Sequence, residues 1–435
     1  MNNQLSIKVK ERDVIFFLMA VVFCTVLRVS LLLIYPLLVL FLFYYLDWRF
    51  SRNGLVVLVF IFFCWLLSFR NGIYIKYNLV SFFYFVPFLL LIMAVPYGRA
   101  ESRHLESFVK ALTIVTVINN IAGIAQYIRS PYDDSFQGFY GGFTVSQNGL
   151  SLLNGILFFY YLQLFNQTKK IKHMSLCIFF IICSVMGFYG AGAVALLTSI
   201  TLSYFKPTLK NILKFLVIGA ALLFSVYFII KTISPRTLDY NVNIIKAFWK
   251  GDVASGQAPR KLIIFRNYYD AYAGRPLDLL FGSGPGTFNS RSAFMVGSPT
   301  YFNLEMIKSD YKPYNFASYA YPLWNPDVIH WYDGYMNQPF TSFLAFLGEY
   351  GIITTLLVLG LIAASWRRVN RHIKTPGQPA DKRVPFMYFR FLTIFMVCLI
   401  VIDNYVEYPE TIALIAILIK LCETRIIGSR GPSGH

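Results

Sequence analysis

Charged residues are scarce in this chain. Asp, Glu, Lys and Arg make up 14% of its 435 residues, whereas 57% are hydrophobic and 18% aromatic. A soluble domain carries about 25% charged residues, so the composition excludes a soluble globular protein of this length. It is typical of a chain that crosses a membrane several times.

Cysteine is also scarce, and the placement of the cysteines excludes two kinds of site. The six cysteines all lie in or at the ends of apolar runs, which argues against a disulfide framework or a zinc site.

The glycine-rich run 282–286 is not followed by Lys-Ser or Lys-Thr. A nucleotide-binding P-loop is therefore excluded there, and a tight turn is expected.

Long apolar runs dominate the rest of the chain. Each is long enough, or nearly so, to cross about 30 Å of hydrocarbon, and together they predict twelve transmembrane helices. The runs cover 14–27, 29–46, 54–69, 77–96, 107–128, 144–166, 174–188, 190–205, 213–232, 339–365, 385–402 and 409–424.

The net charge of +18 is gathered into short clusters between apolar runs, which argues against a nucleic-acid surface. The clusters fall on alternate connections and near both termini. Cytoplasmic loops are enriched in Lys and Arg, so both termini are expected in the cytoplasm. The clusters comprise Lys8, Lys10 and Arg12; Arg49 and Arg52; Arg99, Arg103 and Lys110; Lys169, Lys170 and Lys172; Lys206 and Lys210; Arg367, Arg368, Arg371, Lys374, Lys382 and Arg383; and Arg425 and Arg430.

Residues 233–338 form the one long polar segment of the chain, called here the insert. The apolar runs predict a single integral membrane domain, 1–427, with the insert between the ninth and tenth helices and on the non-cytoplasmic face. The first run is expected to stay as an anchor rather than to be cleaved as a signal peptide. Residues 428–435 have the composition of a cloning remnant and receive no function.

One helix is predicted inside the insert, from Lys261 to Ala273. Leu262, Phe265, Tyr269 and Tyr272 recur on one apolar stripe, while Arg266 and Asp270 occupy a neighbouring face. Pro276 and the glycine-rich run are expected to end it.

The insert also carries several arginines. Arginine presents a planar, permanently charged fork that pairs with two phosphate oxygens, so the set favours a phosphate or pyrophosphate ligand. The alternative is that most of them are solvated or paired with Asp252, Asp270 or Asp278. The five are Arg236, Arg260, Arg266, Arg275 and Arg291.

His330 is the one histidine that the predicted topology places outside the cytoplasm. It is a candidate general base, although a lone loop histidine is more often structural. Glu349 lies inside the tenth predicted span, where an ionisable side chain is costly and function is the default interpretation. The alternative is a packing role beside Gly348 and Gly351.

The turn between the last two predicted spans is acidic and contains no basic residue. It runs from Asp403 to Glu410. Three arginines at the outer ends of other spans could pair with these acids or with a ligand, and spacing does not choose between these roles. They are Arg28, Arg70 and Arg129.

In this arrangement the chain resembles the O-antigen ligase and polymerase superfamily. The resemblance rests on the order of short motifs between about residues 110 and 370. These are Gly138-x-x-Gly141 leading to Asn148-Gly-Leu150, Arg266 fifteen residues before Gly282, Pro276-Leu-Asp-Leu-Leu-Phe-Gly282-Ser-Gly-Pro-Gly286-Thr-Phe288, and Phe343-Leu-Ala-Phe-Leu-Gly-Glu349-Tyr-Gly351-Ile-Ile353.

Two departures separate this sequence from the ligase branch. Residues Met336 to Ser342 contain no His-Asn pair, and Phe188 to Gly192 contain no arginine. The missing ligase histidine favours a Wzy-type polysaccharide polymerase and leaves the general base unassigned.

The resemblance implies an all-α polytopic fold of the GT-C type, an inner-membrane location and a large periplasmic loop. It implies an inverting glycosyltransferase that needs no metal or cofactor and that polymerises oligosaccharide repeat units linked to undecaprenyl pyrophosphate. Implied partners are membrane lipid, a flippase and a chain-length regulator. Arg266, then Arg260 and Arg291, together with Gly282, would bind the pyrophosphate, and His330 or Glu349 would act as base.

Two other functions remain open. A ligase would transfer the glycan to lipid A-core. A transporter or flippase of lipid-linked glycans would carry functional charges along a path through the span interiors, whereas here the spans hold few charges apart from Glu349 and Arg390.

Overall fold

The computed structural model describes most of the chain. The described residues are 11–26, 28–96, 103–131, 135–140, 147–187, 189–204, 260–299, 305–324, 341–373 and 380–427, with isolated positions between 224 and 239.

Helices account for nearly all regular structure in these ranges. In chain order they are α1 (Glu11–Thr25), α2 (Arg28–Tyr45), α3 (Arg52–Ser68), α4 (Ile75–Met93), α5 (His104–Arg129), α6 (Gln147–Thr168), α7 (Ile171–Met186), α8 (Gly190–Tyr204), α9 (Arg260–Tyr272), α10 (Pro276–Phe281), α11 (Arg291–Gly297), α12 (Ser342–Ala345), α13 (Gly351–Ile373), α14 (Arg383–Ile402) and α15 (Pro409–Ile427). Two short strands, β1 (Trp48–Phe50) and β2 (Ala94–Pro96), pair antiparallel.

The predicted spans coincide with these helices, except for 213–232, which lies mostly outside the described residues. Within the described part of the chain, five helices are long and apolar enough to cross a membrane, so the protein is a helical membrane protein. The tenth predicted span is longer than expected. It runs from Ser342 to Ile373, with a π-helical stretch at Phe346–Tyr350 and a positive φ of 81° at Gly351.

Helix α15 lies at the centre of the bundle. Its residues from Pro409 to Thr424 are all buried, and it packs against α1, α2, α4, α5, α6, α13 and α14. A helix that is buried on every side belongs to the interior of a large assembly of helices. By contrast, α3 exposes Val56, Val59 and Phe62, as expected of a face in contact with lipid.

The described part of the insert packs on the ends of the spans through a second apolar core. Tyr77 and Tyr84 of α4 join Phe288, Phe294 and Phe316 of the insert in this core. The ring centroids of Tyr77 in α4 and Phe316 in the insert are 6.2 Å apart, within the range of favourable aromatic pairs. Aromatic packing therefore fixes the insert to α4.

Candidate functional site

Two of the sequence motifs meet in one structural unit. The backbone amide of Ser283 donates to the carbonyl of Gly348 at 2.9 Å, and the amide of Gly284 donates to the carbonyl of Glu349 at 3.0 Å. Gly282 has φ of +86°, and a Cβ there would lie 2.2 Å from the Glu349 carbonyl oxygen. Gly282 therefore permits close approach of two backbones.

The carboxylate of Glu349 is directed into the same loop. It accepts hydrogen bonds from the backbone amides of Gly286 at 2.6 Å, Phe288 at 3.1 Å and Ser290 at 3.0 Å. Its residue is 1% exposed. A buried carboxylate requires such donors, and these three amides require an acceptor once they are removed from water. Glu349 therefore holds the loop that follows the glycine-rich run.

A second buried carboxylate continues this pattern. Glu407, in the turn between α14 and α15, accepts from the amides of Arg291 at 2.5 Å and Ser292 at 2.9 Å, and from the side-chain amide of Asn404. Burial raises the pKa of Glu407 above its usual range, opposed by hydrogen bonds from Ser292. The two glutamates together bind the 286–292 loop and accept from five of its seven backbone amides.

Buried cations surround the turn that contains Glu407. The ammonium of Lys261 lies 3.1 Å from an Asp403 carboxylate oxygen and donates to the carbonyl of Ile402 at 2.9 Å. Burial lowers the pKa of Lys261, and the neighbouring Asp403 charge opposes that shift. The guanidinium of Arg291 lies 4.2 Å from the centre of the Tyr408 ring, a cation–π contact.

These groups form one polar cluster, called here the outer cluster: Lys261, Arg291, Asp403, Glu407 and Tyr408. It joins the starts of α9 and α11 to the turn between α14 and α15. Asp403 and Glu407 are fully buried, and Arg291 is 4% exposed. Each of the buried charges here has an oppositely charged or hydrogen-bonding neighbour, as buried charges require.

The three arginines predicted to bind phosphate lie in different surroundings. Arg260 is buried at the first residue of α9, and Arg291 is buried in the outer cluster. The Arg266 side chain is 55% exposed and lies 3.9 Å from Asp270 one turn later. Six residues along a helix correspond to about 9 Å of rise and a different face, so Arg260 and Arg266 do not share one face of α9.

Two other arginines have structural partners. Arg70 donates to Asp278 at 2.5 Å, and Asn71 donates to the same oxygen at 2.9 Å. Arg70 is thus paired with the insert rather than with the acidic turn. Arg275 donates to Asn315 at 2.9 Å.

The helix predicted at 261–273 is present as α9. Its predicted apolar stripe is confirmed at Tyr272, which is 1% exposed, and is wrong at Phe265 and Tyr269. Phe265 is 41% exposed and Tyr269 is 70% exposed, whereas Ile264 and Ala271 are buried. The first turn places Lys261 against Asp403, and Ile264 packs into the second apolar core.

The sequence interpretation also missed the basic partner of the acidic turn. Lys261 pairs with Asp403 of this turn, and Arg70 pairs with Asp278 instead. Lys261 directly follows Arg260, which is one of the arginines predicted to bind phosphate. Its positive charge is evident in the sequence but was not assigned a partner there. His330 lies outside the described residues, so its role as base stays a prediction.

Within the described ranges, no group of three or more His, Cys, Asp or Glu side chains is arranged to hold a metal ion. A scan against protein-family models and a search of curated proteins find no match to this chain.

Proposed function

We propose that this protein is a membrane glycosyltransferase that polymerises oligosaccharide repeat units linked to undecaprenyl pyrophosphate. In this proposal the chain crosses the bacterial inner membrane twelve times and works at the periplasmic face. The growing glycan on its lipid pyrophosphate is the donor, and a newly delivered lipid-linked repeat unit is the acceptor.

The observation that best supports the proposal is the outer cluster. It concentrates buried cations and carboxylates where the insert meets the ends of α14 and α15, while most described spans are apolar. Charged groups held rigidly in a dehydrated site stabilise developing charge at little reorganisation cost. A transporter would instead be expected to carry functional charges at mid-membrane depth.

The proposed reaction forms one glycosidic bond and breaks the bond between the donor sugar and its pyrophosphate. The acceptor hydroxyl oxygen attacks the anomeric carbon of the donor sugar, the bond from that carbon to pyrophosphate breaks, and the hydroxyl proton passes to a base. The lipid pyrophosphate leaves with negative charge that cationic side chains would stabilise. Five of the seven amides of the 286–292 loop donate to Glu349 and Glu407, so the proposal assigns this stabilisation to side chains. The proposed donors are Arg266 and Arg260 on α9 and Arg291 in the outer cluster.

The proposal assigns the base to His330 or Glu349. Glu349 already accepts three backbone amides, and proton transfer to it would weaken the hold on the loop. This geometry favours His330 within the proposal.

The test is incubation of the purified protein with a lipid-linked repeat unit, with and without lipid A-core, followed by electrophoresis of the glycans. A ladder of products supports polymerisation. Transfer only to lipid A-core would assign the protein as a ligase, and movement of the intact substrate across vesicles without any new bond would assign it as a flippase.

A pair of arginine variants tests the pyrophosphate assignment. Arg266→Ala is expected to abolish the ladder while the protein still inserts into the membrane. Arg275→Gln is the matched control, since its guanidinium is accounted for by Asn315 and by the Tyr314 ring, 4.7 Å away. Ladders of normal length from Arg266→Ala would contradict the role of Arg266.

A further inference from the structure

A basic groove opens beside the short β1–β2 ribbon, at the opposite ends of α4 and α13 from the outer cluster. It has a volume of about 550 Å³. Its lining residues are Arg49, Phe50, Ser51, Val95, Pro96 and Arg368. Two of the six are arginines, and the groove contains no acidic lining residue.

Arg368 belongs to a buried set of charges that has a positive surplus. Its guanidinium lies 3.0 Å from the Glu423 carboxylate, and the Lys420 ammonium lies 3.0 Å from the other oxygen of the same carboxylate. Two cations therefore share one anion. The Arg368 side chain is 32% exposed, so the surplus charge reaches the groove.

The groove lies at the level where a membrane meets water. The candidate span Arg52–Asn71 begins beside it, the span Ile75–Met93 ends directly before β2, and Arg368 is in the last turns of the span Ser342–Ile373. The ribbon pairs the residues before α3 with those after α4, with Arg49 opposite Val95. Three span ends at one site place it at the depth of lipid headgroups.

An apolar surface continues from the groove along α3. Leu55, Val56 and Val59 are 47%, 62% and 68% exposed, and they lie within the first two turns after the groove. A ligand with an anionic head and acyl chains would meet arginines at one end and this apolar face along its length. A free phosphate would use only the arginines.

We propose that this groove binds the phosphate of an anionic phospholipid, with the acyl chains lying along α3. Arginine clusters between helix ends suit lipid phosphates because the guanidinium fork pairs with their oxygens. Binding would tie the β1–β2 ribbon to α13. The groove is far from the outer cluster, so this ligand is independent of the proposed glycosyl transfer.

The test measures lipid binding by native mass spectrometry of the purified protein in detergent. Dioleoyl phosphatidylglycerol is titrated against dioleoyl phosphatidylcholine, and inorganic phosphate is added as a separate arm. Arg49→Gln is expected to weaken phosphatidylglycerol binding about fivefold, because it removes one of the two guanidinium groups that line the groove. Arg52→Gln is the matched control, because Arg52 is exposed and does not line the groove.

The proposal requires three results together: preference for phosphatidylglycerol over phosphatidylcholine, a loss in Arg49→Gln that exceeds the loss in Arg52→Gln, and little competition from millimolar inorganic phosphate. Equal losses in the two variants would overturn the assignment to the groove. Full competition by inorganic phosphate would overturn the lipid as the ligand. Val95→Glu, which adds a carboxylate to the groove, provides a second variant and is expected to weaken binding at least as much.

Discussion

Glu349 and Glu407 reach the same loop from different parts of the chain, and their carboxylates bind five of its amides within seven residues. Amide hydrogen bonds to a charged acceptor are stronger than neutral ones. The loop thus depends on two residues that are distant from it in sequence. Glu349 has two proposed roles, in holding this loop and as a base, and these roles predict different behaviour.

Glu349→Gln distinguishes the two roles. If Glu349 mainly holds the loop, the Gln amide group faces N–H donors, and the variant is expected to lose about 2–4 kcal/mol of stability. This loss appears as a lower midpoint of thermal unfolding in detergent. Glu106→Gln is the control, because its side chain is 59% exposed. An unchanged midpoint with loss of polymerisation would instead favour the base.

Glu407 makes stability depend on pH. Its folded-state pKa is raised by burial, so the folded protein retains a proton that the unfolded chain has released. Glu407 therefore makes its full contribution to the free energy of unfolding below the ordinary glutamate pKa of about 4.3. That contribution falls as the pH rises from there through the raised folded-state pKa.

Glu407→Gln cannot titrate, and it is expected to reduce that decline. The measurement is the unfolding midpoint between pH 4 and pH 9 for both proteins, compared by slope so that a uniform loss of stability does not matter. Parallel slopes would show that Glu407 has no raised pKa in the folded protein.

At the scale of elements, apolar runs predicted the helices well because a membrane span must be long and apolar wherever it lies. They did not predict how the elements meet. The glycine-rich run and the Glu349 motif were both recognised in the sequence, yet nothing in either indicates that Gly284 donates to Glu349. The apolar stripe predicted for α9 is wrong at Phe265 and Tyr269 for the same reason. The contact between Lys261 and Asp403 joins residues more than a hundred positions apart.

The contact between the glycine-rich run and the start of α13 yields a prediction for this pair of elements. Gly282→Ala would place a Cβ 2.2 Å from the Glu349 carbonyl oxygen at a φ of +86°. The expected cost is about 3 kcal/mol or more, from overpacking and backbone strain combined. The readout is the yield and the thermal midpoint of monodisperse protein in detergent.

Gly274→Ala is the matched control for that substitution. Gly274 lies in the same insert, and nothing lies within 4 Å of a Cβ added there. It is expected to fold like the unsubstituted protein. If both variants unfolded at the unsubstituted temperature, the close approach at Gly282 would not be required.

At the scale of the whole molecule, two clusters of buried charged groups among the described residues lie at separate levels of the bundle. The outer cluster lies where the insert meets α14 and α15, and Lys420, Glu423 and Arg368 lie near the other end of α15. The helix between them is apolar and buried on all sides. Positive residues in short connections orient such a bundle, so the two levels are predicted to face opposite sides of the membrane.

Cysteine labelling in intact cells tests that orientation directly. Cys398 is half-buried and the other native cysteines are buried, so the background reaction of a membrane-impermeant maleimide should be low. Tyr311→Cys, at a side chain 67% exposed in the insert, is expected to react from outside. Lys170→Cys, exposed between α6 and α7, is expected to react only after the inner membrane is permeabilised. The reverse pattern would place the insert in the cytoplasm and remove the outer cluster from any reaction at the periplasmic face.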